Sequence, residues 1–211
     1  MAKALGCLAV LAIVVLVLGG WAVGVNNRLV AHGQAVDAQW AQVENVYQRR
    51  ADLIPNLVAT VQGAAQFEQA TLVAVTEARA SVGKLQVSGS DLVNNPQAFA
   101  QWQAAQDGLS SALSRLLVVV ERYPELKANQ NFRDLQAQLE GTENRIAVER
   151  MRFNEAALAY NTLRLQFPAS LVANLRGFKE KAYFKAQSGA EQPPKVEFQF
   201  GASPTPTPST N

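Results

Sequence analysis

The side chains that could do chemistry are few and set far apart. The single histidine, His32, has no cysteine or second histidine near it to complete a metal-ligand set, so it reads as a solvated residue. The single cysteine, Cys7, lies in an apolar run, where a thiol packs as a small hydrophobe; alone, it forms no internal disulfide. Glu121 and Glu125 are near enough to pair as acid and base, but helix capping and ion pairing at a junction is the plainer reading. Ser88-Gly89-Ser90 is turn chemistry, and no strand precedes a Gly-rich phosphate loop. With no nucleophile, base or cofactor box, the expectation is a protein that is not an enzyme and takes no cofactor or metal.

More is carried by the charges that interrupt apolar stripes. Arg50 and Glu68 fall at seam positions of a first helix, and Glu149 at a seam position of a third. A buried unpaired charge is costly, so each must pair or escape to the bundle edge on its stem. For Arg50 the first candidate partner is Glu149, with Glu143 and Glu121 as alternatives. Arg49, Arg50, Asp52, Pro55, Asn56, Lys127, Asn129, Asn131, Arg145 and Glu149 form the candidate site. Their polar content suits either an interhelical network or a docking surface.

The elements that must position these residues are helices. Between Val36 and Val82, steps of four and three residues land on apolar residues at eleven of fourteen positions. That stripe predicts one continuous helix from Asn26 to about Val82, with the rest of the soluble chain packed back along it. Pro55 lies inside this span and either kinks it, which the in-phase stripe favours, or opens a new helix capped near Asp52. Gly83 to Asn95 reads as a turn. Asn95-Pro96 is a cap followed by a first-turn proline, starting a second helix with Phe99, Trp102, Gln106, Leu109, Leu113, Leu116 and Val120 on its stripe.

Tyr123-Pro124 closes that helix. A third is expected from Glu125, with its stripe running from Ala128 and Phe132 to Phe153 and Tyr160. Gly141 within it suggests close approach to a neighbour, because glycine otherwise only weakens a helix. Phe167-Pro168 ends the third helix, and Ser170 to about Lys185 suits a short fourth, with Leu171, Leu175, Phe178 and Ala182 facing inward. Val196, Phe198 and Phe200 alternate as in an extended segment laid on the bundle, and the Pro-Thr tail from Gly201 has the composition of disorder.

At the other end, Ala4 to Val25 carries no charge over 22 residues. As a helix that is about 33 Å, enough to cross a hydrocarbon core of about 30 Å. The run is longer than a cleaved signal peptide needs and leads straight into helix-compatible sequence, so an uncleaved anchor is expected. Lys3 on one side, against Arg28 and His32 on the other, leaves the orientation tied. A net charge of +2 over 211 residues is too small and too evenly spread to recruit nucleic acid.

Several blocks together resemble the LemA family of bacterial membrane-anchored helical proteins. They are Arg49-Arg50-Ala51-Asp52-Leu53-Ile54-Pro55-Asn56-Leu57-Val58, Glu121 to Asn129, Asn131-Phe132 and Thr142 to Ile146. Phe153-Asn154-Glu155-Ala156, Tyr160-Asn161, Phe167-Pro168, Gly177-Phe178, Tyr183-Phe184 and Pro194 to Phe198 also fit. Phe153 departs from the pattern, where tyrosine is common. The resemblance implies a single N-terminal span, a bundle of about four helices and no established catalytic activity. One class of similar proteins is associated with magnetosome membranes.

The expected fold is therefore all-α: one N-terminal transmembrane helix, an elongated antiparallel bundle of three long helices and one short, and an extended, partly disordered tail. The expected divisions are an anchor at 1–25, a bundle at 26–187 and a tail at 188–211. The expected function is a scaffold or adaptor in the cell membrane, single-pass. It would touch the bilayer through residues 4–25, bind protein partners or a second copy of itself, and bind no nucleic acid. The alternative is a sensor holding a small molecule or peptide between helices. A cavity lined by Trp40, Tyr47 or Trp102 would favour the sensor; a solid core with an exposed apolar strip would favour the scaffold.

Overall fold

The computed structural model describes residues 2–63, 68–84 and 89–186. The extended segment expected around Val196 and the Pro-Thr tail lie outside the described residues. The described chain is entirely helical apart from its connections and one extended stretch, 178–186. Among the described residues seven helices follow in order: α1 (Ala2–Gln62), α2 (Gln69–Lys84), α3 (Gly89–Val93), α4 (Pro96–Val120), α5 (Pro124–Ala128), α6 (Gln130–Leu165) and α7 (Ala169–Arg176).

α1 is 61 residues long and organises the rest. Its N-terminal part is the one described segment long and apolar enough to cross a membrane. Leu8 to Leu18 stand exposed there, whereas Val25, Leu29, Val36, Trp40, Val43 and Tyr47 are buried. The same helix thus passes without a break from an apolar rod into the wall of a core. Pro55 lies inside α1 with its ring exposed, so no new helix begins there.

The single helix expected from Asn26 to Val82 ends instead at Gln62, and α2 is separate. The stripe concealed the break because Val61 and Val75, both fully buried, are two heptads apart. Apolar phase therefore survives although the chain has turned. Glu68, nominally at a seam position, lies outside both helices and is exposed.

α6 runs antiparallel along α1. Gly33 backs onto the Tyr160 ring, Gln39 bonds Glu149, Tyr47 bonds Arg150 and Arg50 bonds Glu143. α2 pairs with α4, the second half of one beside the first half of the other. α4 begins as its sequence predicts: Asn95 caps it by accepting from the amide of Ala98 at 3.2 Å, and Pro96 occupies the first turn. All seven stripe residues of α4 are buried.

The third helix does not begin at Glu125. A five-residue α5 comes first, and Asn129 then caps α6 by accepting from Phe132 N at 3.3 Å. The turn expected over Gly83 to Asn95 contains α3, whose Leu92 and Val93 are buried. A Cβ at Gly141 would meet nothing within 4 Å, so no neighbour approaches it.

The fourth helix is shorter than expected and turned over. α7 stops at Gly177, whose φ of 72° is the left-handed C-cap conformation that glycine adopts without strain. It buries Ala169, Val172 and Ala173 and exposes Leu171 and Leu175, the reverse of the expected face. Beyond Gly177 the chain extends and passes back between the helices, so Ala182 is buried by the strap and not by a helix.

The apolar interior forms two clusters. One joins Val25 and Leu29 of α1 to α7, the aromatic residues of α1, α4 and α6, and Phe184. The other joins Ile54, Leu57 and Val61 to α2 and to the far halves of α4 and α6.

Candidate functional site

Between the two clusters the bundle carries a buried polar joint centred on Arg50, which is 1% exposed. The heptad phase of α1 points this residue inward, and the long stem lets one guanidinium reach two other helices. Nη1 donates to Ser110 Oγ at 2.7 Å on α4 and to Glu143 Oε1 at 2.9 Å on α6. Nη2 donates to the side-chain oxygen of Gln106, also on α4. The guanidinium carbon lies 4.9 Å from the centre of the Tyr47 ring, a cation–π arrangement. One residue thereby fixes the relative register of α1, α4 and α6.

A second joint adjoins it. Arg150 donates to the Tyr47 hydroxyl at 2.6 Å and to Asp107 Oδ1 at 2.9 Å, and lies 4.9 Å from the Phe184 ring centre. Burial pushes the Tyr47 hydroxyl up from 10.0 to about 12, against the opposing pull of Arg150. Burial also works against the charge of Arg150, but Tyr47 and Asp107 outweigh it and hold the guanidinium above its ordinary value. Tyr160 is likewise raised by burial.

The Tyr47 shift has a definite pH consequence. The unfolded tyrosine ionises from about 10, whereas the folded one stays protonated until about 12. Its contribution is complete below pH 10 and is lost as pH rises through 10 to 12. Denaturant unfolding across that window should therefore show a steeper loss of stability for the native chain than for Tyr47→Phe. Parallel losses in the two proteins would contradict the assignment.

The third component is the strap, 178–186, held by side-chain amides that act like backbone groups. Asn161 donates to Lys181 O at 2.8 Å and accepts from Lys181 N at 3.0 Å. Asn154 donates to Phe184 O at 3.0 Å and accepts from Phe184 N at 2.9 Å. Gln103 does the same for Lys185, at 2.8 and 3.1 Å. The Lys181 ammonium, nearly buried, reaches Asp37 at 2.9 Å. With Ala182 N donating to Val93 O at 2.9 Å, these pairings satisfy a buried extended segment that has no strand beside it among the described residues.

The strap inserts Phe184 into a knot of rings. Trp40 lies 5.6, 5.1, 5.5 and 6.2 Å from the ring centres of Phe99, Trp102, Phe153 and Phe184. The space between α1, α4 and α6 is thus filled by the chain itself. Beside the knot runs a half-open groove of about 770 Å³, lined in part by Trp40, Tyr47, Thr76, Arg79, Trp102 and Gln106. Among the described residues the buried Trp40 indole N–H has no hydrogen-bond partner.

The residues singled out from the sequence do not converge on one place. Arg50 occupies the joint, and its partner is Glu143, one of the alternatives. Glu149 instead accepts from Gln39 at 2.6 Å and pairs with Arg152 at 2.9 Å, so it is not Arg50's partner. Asp52 is exposed and accepts from Gln48. Arg49, Pro55, Asn56, Asn131 and Arg145 are exposed along the outer surface. Lys127 pairs with Glu121 at 2.6 Å, both exposed, and Asn129 is the cap of α6.

Sequence reasoning missed Gln103, Asp107, Arg150, Asn154, Asn161 and Lys181. The available signal was Asn154 and Asn161, seven residues apart and therefore on one face of α6, next to stripe residues Phe153 and Tyr160. Among the described residues no group of three His, Cys, Asp or Glu side chains is placed to hold a metal ion. The joint binds helices and a strap to one another; it presents no activated nucleophile.

The model for the LemA family matches residues 39–198. Over 182 residues the chain is 26% identical to the magnetosome protein MamQ of Magnetospirillum gryphiswaldense, covering 79% of this chain and 67% of that protein. It is 27% identical, with the same coverage, to the magnetosome proteins MamQ 1 and MamQ 2 of Paramagnetospirillum magneticum.

Proposed function

We propose that this chain, which belongs to the LemA family, is a non-enzymatic scaffold tethered to the cell membrane by the apolar part of α1. Its bundle would present one outer face to other membrane proteins or to a second copy. The observation carrying this reading is a strip on α6. Val148, Met151, Leu158 and Leu165 are 41, 55, 58 and 68% exposed. With Glu155 and Thr162 they continue a heptad pattern on the side of α6 away from the core. A filled interior with an apolar strip outside is the arrangement of a helix that docks onto another surface. Support for a membrane setting comes from the exposed apolar segment of α1 and from the relatives, which are magnetosome proteins.

The test is site-specific photocrosslinking in native membranes, with the reactive group at Met151 or Leu158 and a control at Arg122. The expected result is one adduct of the same mass from both strip positions, absent at Arg122 and abolished when the other strip position carries glutamate. Adducts no different from the control would remove the scaffold reading.

A second reading, a sensor, draws on the groove beside the knot, because a buried donor without an acceptor is a place for a ligand oxygen. The Trp40 indole resonance would then shift saturably on addition of a small-molecule extract of the cell. An unchanged resonance would count against it.

A further inference from the structure

We propose that the α6–α7 corner is a second membrane contact, a foot that seats the bundle on the bilayer interface beside the helix that anchors it. This rests on the anchor reading above and specifies how the bundle stands relative to the lipid.

The two leucines of α7 face away from the core. A short helix covering a water-facing core ordinarily buries its large apolar residues and exposes its small ones. α7 buries Ala169, Val172 and Ala173, yet its two largest apolar residues, Leu171 and Leu175, are 60 and 87% exposed. Phe167, four residues before Leu171, is 82% exposed. At a spacing of four, Leu171 and Leu175 share one face of α7, with Phe167 at its entrance. No described part of the chain covers them.

The placement of α7 supplies the occupant. Its buried residues join the cluster that contains Val25 and Leu29, and Ala22 packs against that cluster. Val25 is the last residue of the apolar run, ahead of Asn26, Asn27 and Arg28. Trp21, one turn earlier and 39% exposed, is the type of residue that marks a membrane interface. Gly177 and Phe178, at the end of α7, line one groove with Leu29, Val30 and Gly33, which sets α7 beside the stretch of α1 that follows the apolar rod. Exposed Arg28, Arg176 and Lys179 belong to the same end of the molecule and suit lipid phosphates. The far end, around α5, carries the exposed Glu121–Lys127 pair, and among the described residues α4 and α5 expose a single large apolar side chain there, Val118. An apolar face with basic residues near it, at the mouth of a membrane span, is the chemistry of an interfacial helix.

The test uses the full chain with Cys7→Ala and one introduced cysteine, Leu175→Cys, or Arg122→Cys as the distal control. Each is labelled with an environment-sensitive fluorophore and reconstituted into phosphatidylcholine–phosphatidylglycerol vesicles. Both positions are exposed, so labelling leaves the core intact. The expected result at 175 is blue-shifted emission that lipids with a shallow nitroxide quench, with water-like unquenched emission at 122. Water-like emission at 175 from protein that floats with the vesicles would overturn the foot and leave the anchor standing. A blue shift that nitroxide lipids do not quench would mean that a second copy covers the face, which also overturns it. Protein that does not float would overturn the anchor reading and the foot with it.

Discussion

Phe184→Ala should destabilise the bundle by about 3–5 kcal/mol, as large truncations of a close-packed aromatic do. The Phe184 ring is 8% exposed and lies 4.8 Å from the Phe99 ring centre, 5.5 Å from Phe153 and 6.1 Å from Trp102, with the Arg150 guanidinium against it. The helices that frame this space are joined elsewhere by the Arg50 joint, so they cannot close over the vacancy. Truncation also weakens the hold on the strap, whose backbone groups then exchange the amides of Asn154 and Gln103 for water. Denaturant unfolding of the two proteins measures the loss. A change below about 1 kcal/mol would show that the strap lies on the bundle without filling it.

Arg50→Ala should cost about 3 kcal/mol, and the reason differs. The Glu143 side chain is 36% exposed, so a carboxylate left behind recovers water, and that pair contributes on the order of 1 kcal/mol or less. The larger loss comes from Gln106, which is buried and loses its donor, from Ser110, and from the space vacated by the stem. A buried acceptor stripped of its donor costs about 1–3 kcal/mol. A double-mutant cycle separates the contributions. Coupling between Arg50 and Glu143 should be near 1 kcal/mol, and between Arg50 and Glu149 near zero. A full effect below about 1 kcal/mol would mean that the joint is dispensable.

The legible part of the structure was the part written in helical period. Phe99 to Val120 are buried at every stripe position, and Asn95-Pro96 caps the helix it was expected to cap. Arg50 was readable as inward-pointing because it falls in phase with an otherwise apolar seam, and a helix cannot turn one residue out of its own face. The same period misled where a turn preserved phase, between Val61 and Val75. It misled again in α7, where Leu171 and Leu175 have core spacing but point away from the core.

The strap was not legible for a different reason. An extended segment held mainly by the side chains of Asn154, Asn161 and Gln103, and once by the Val93 carbonyl, leaves no pattern of its own, since these partners are distant in sequence. Choosing Glu143 over Glu149 as the Arg50 partner required the register of α6 on α1, which local pattern does not encode. The scattered outcome of Asp52, Asn56, Lys127 and Asn131 has the same origin: polar residues near one another in composition were not near one another in space.

Alkaline carbonate extraction of membranes carrying the full chain, beside the same chain lacking residues 1–20, tests most directly whether α1 tethers the bundle to a bilayer. Apolar burial is indifferent to salt and to alkaline pH, whereas surface attraction is not. The full chain should remain in the membrane pellet, and the shortened chain should pass to the supernatant. Release of the full chain with the shortened one would contradict the tether, and with it the scaffold built upon it.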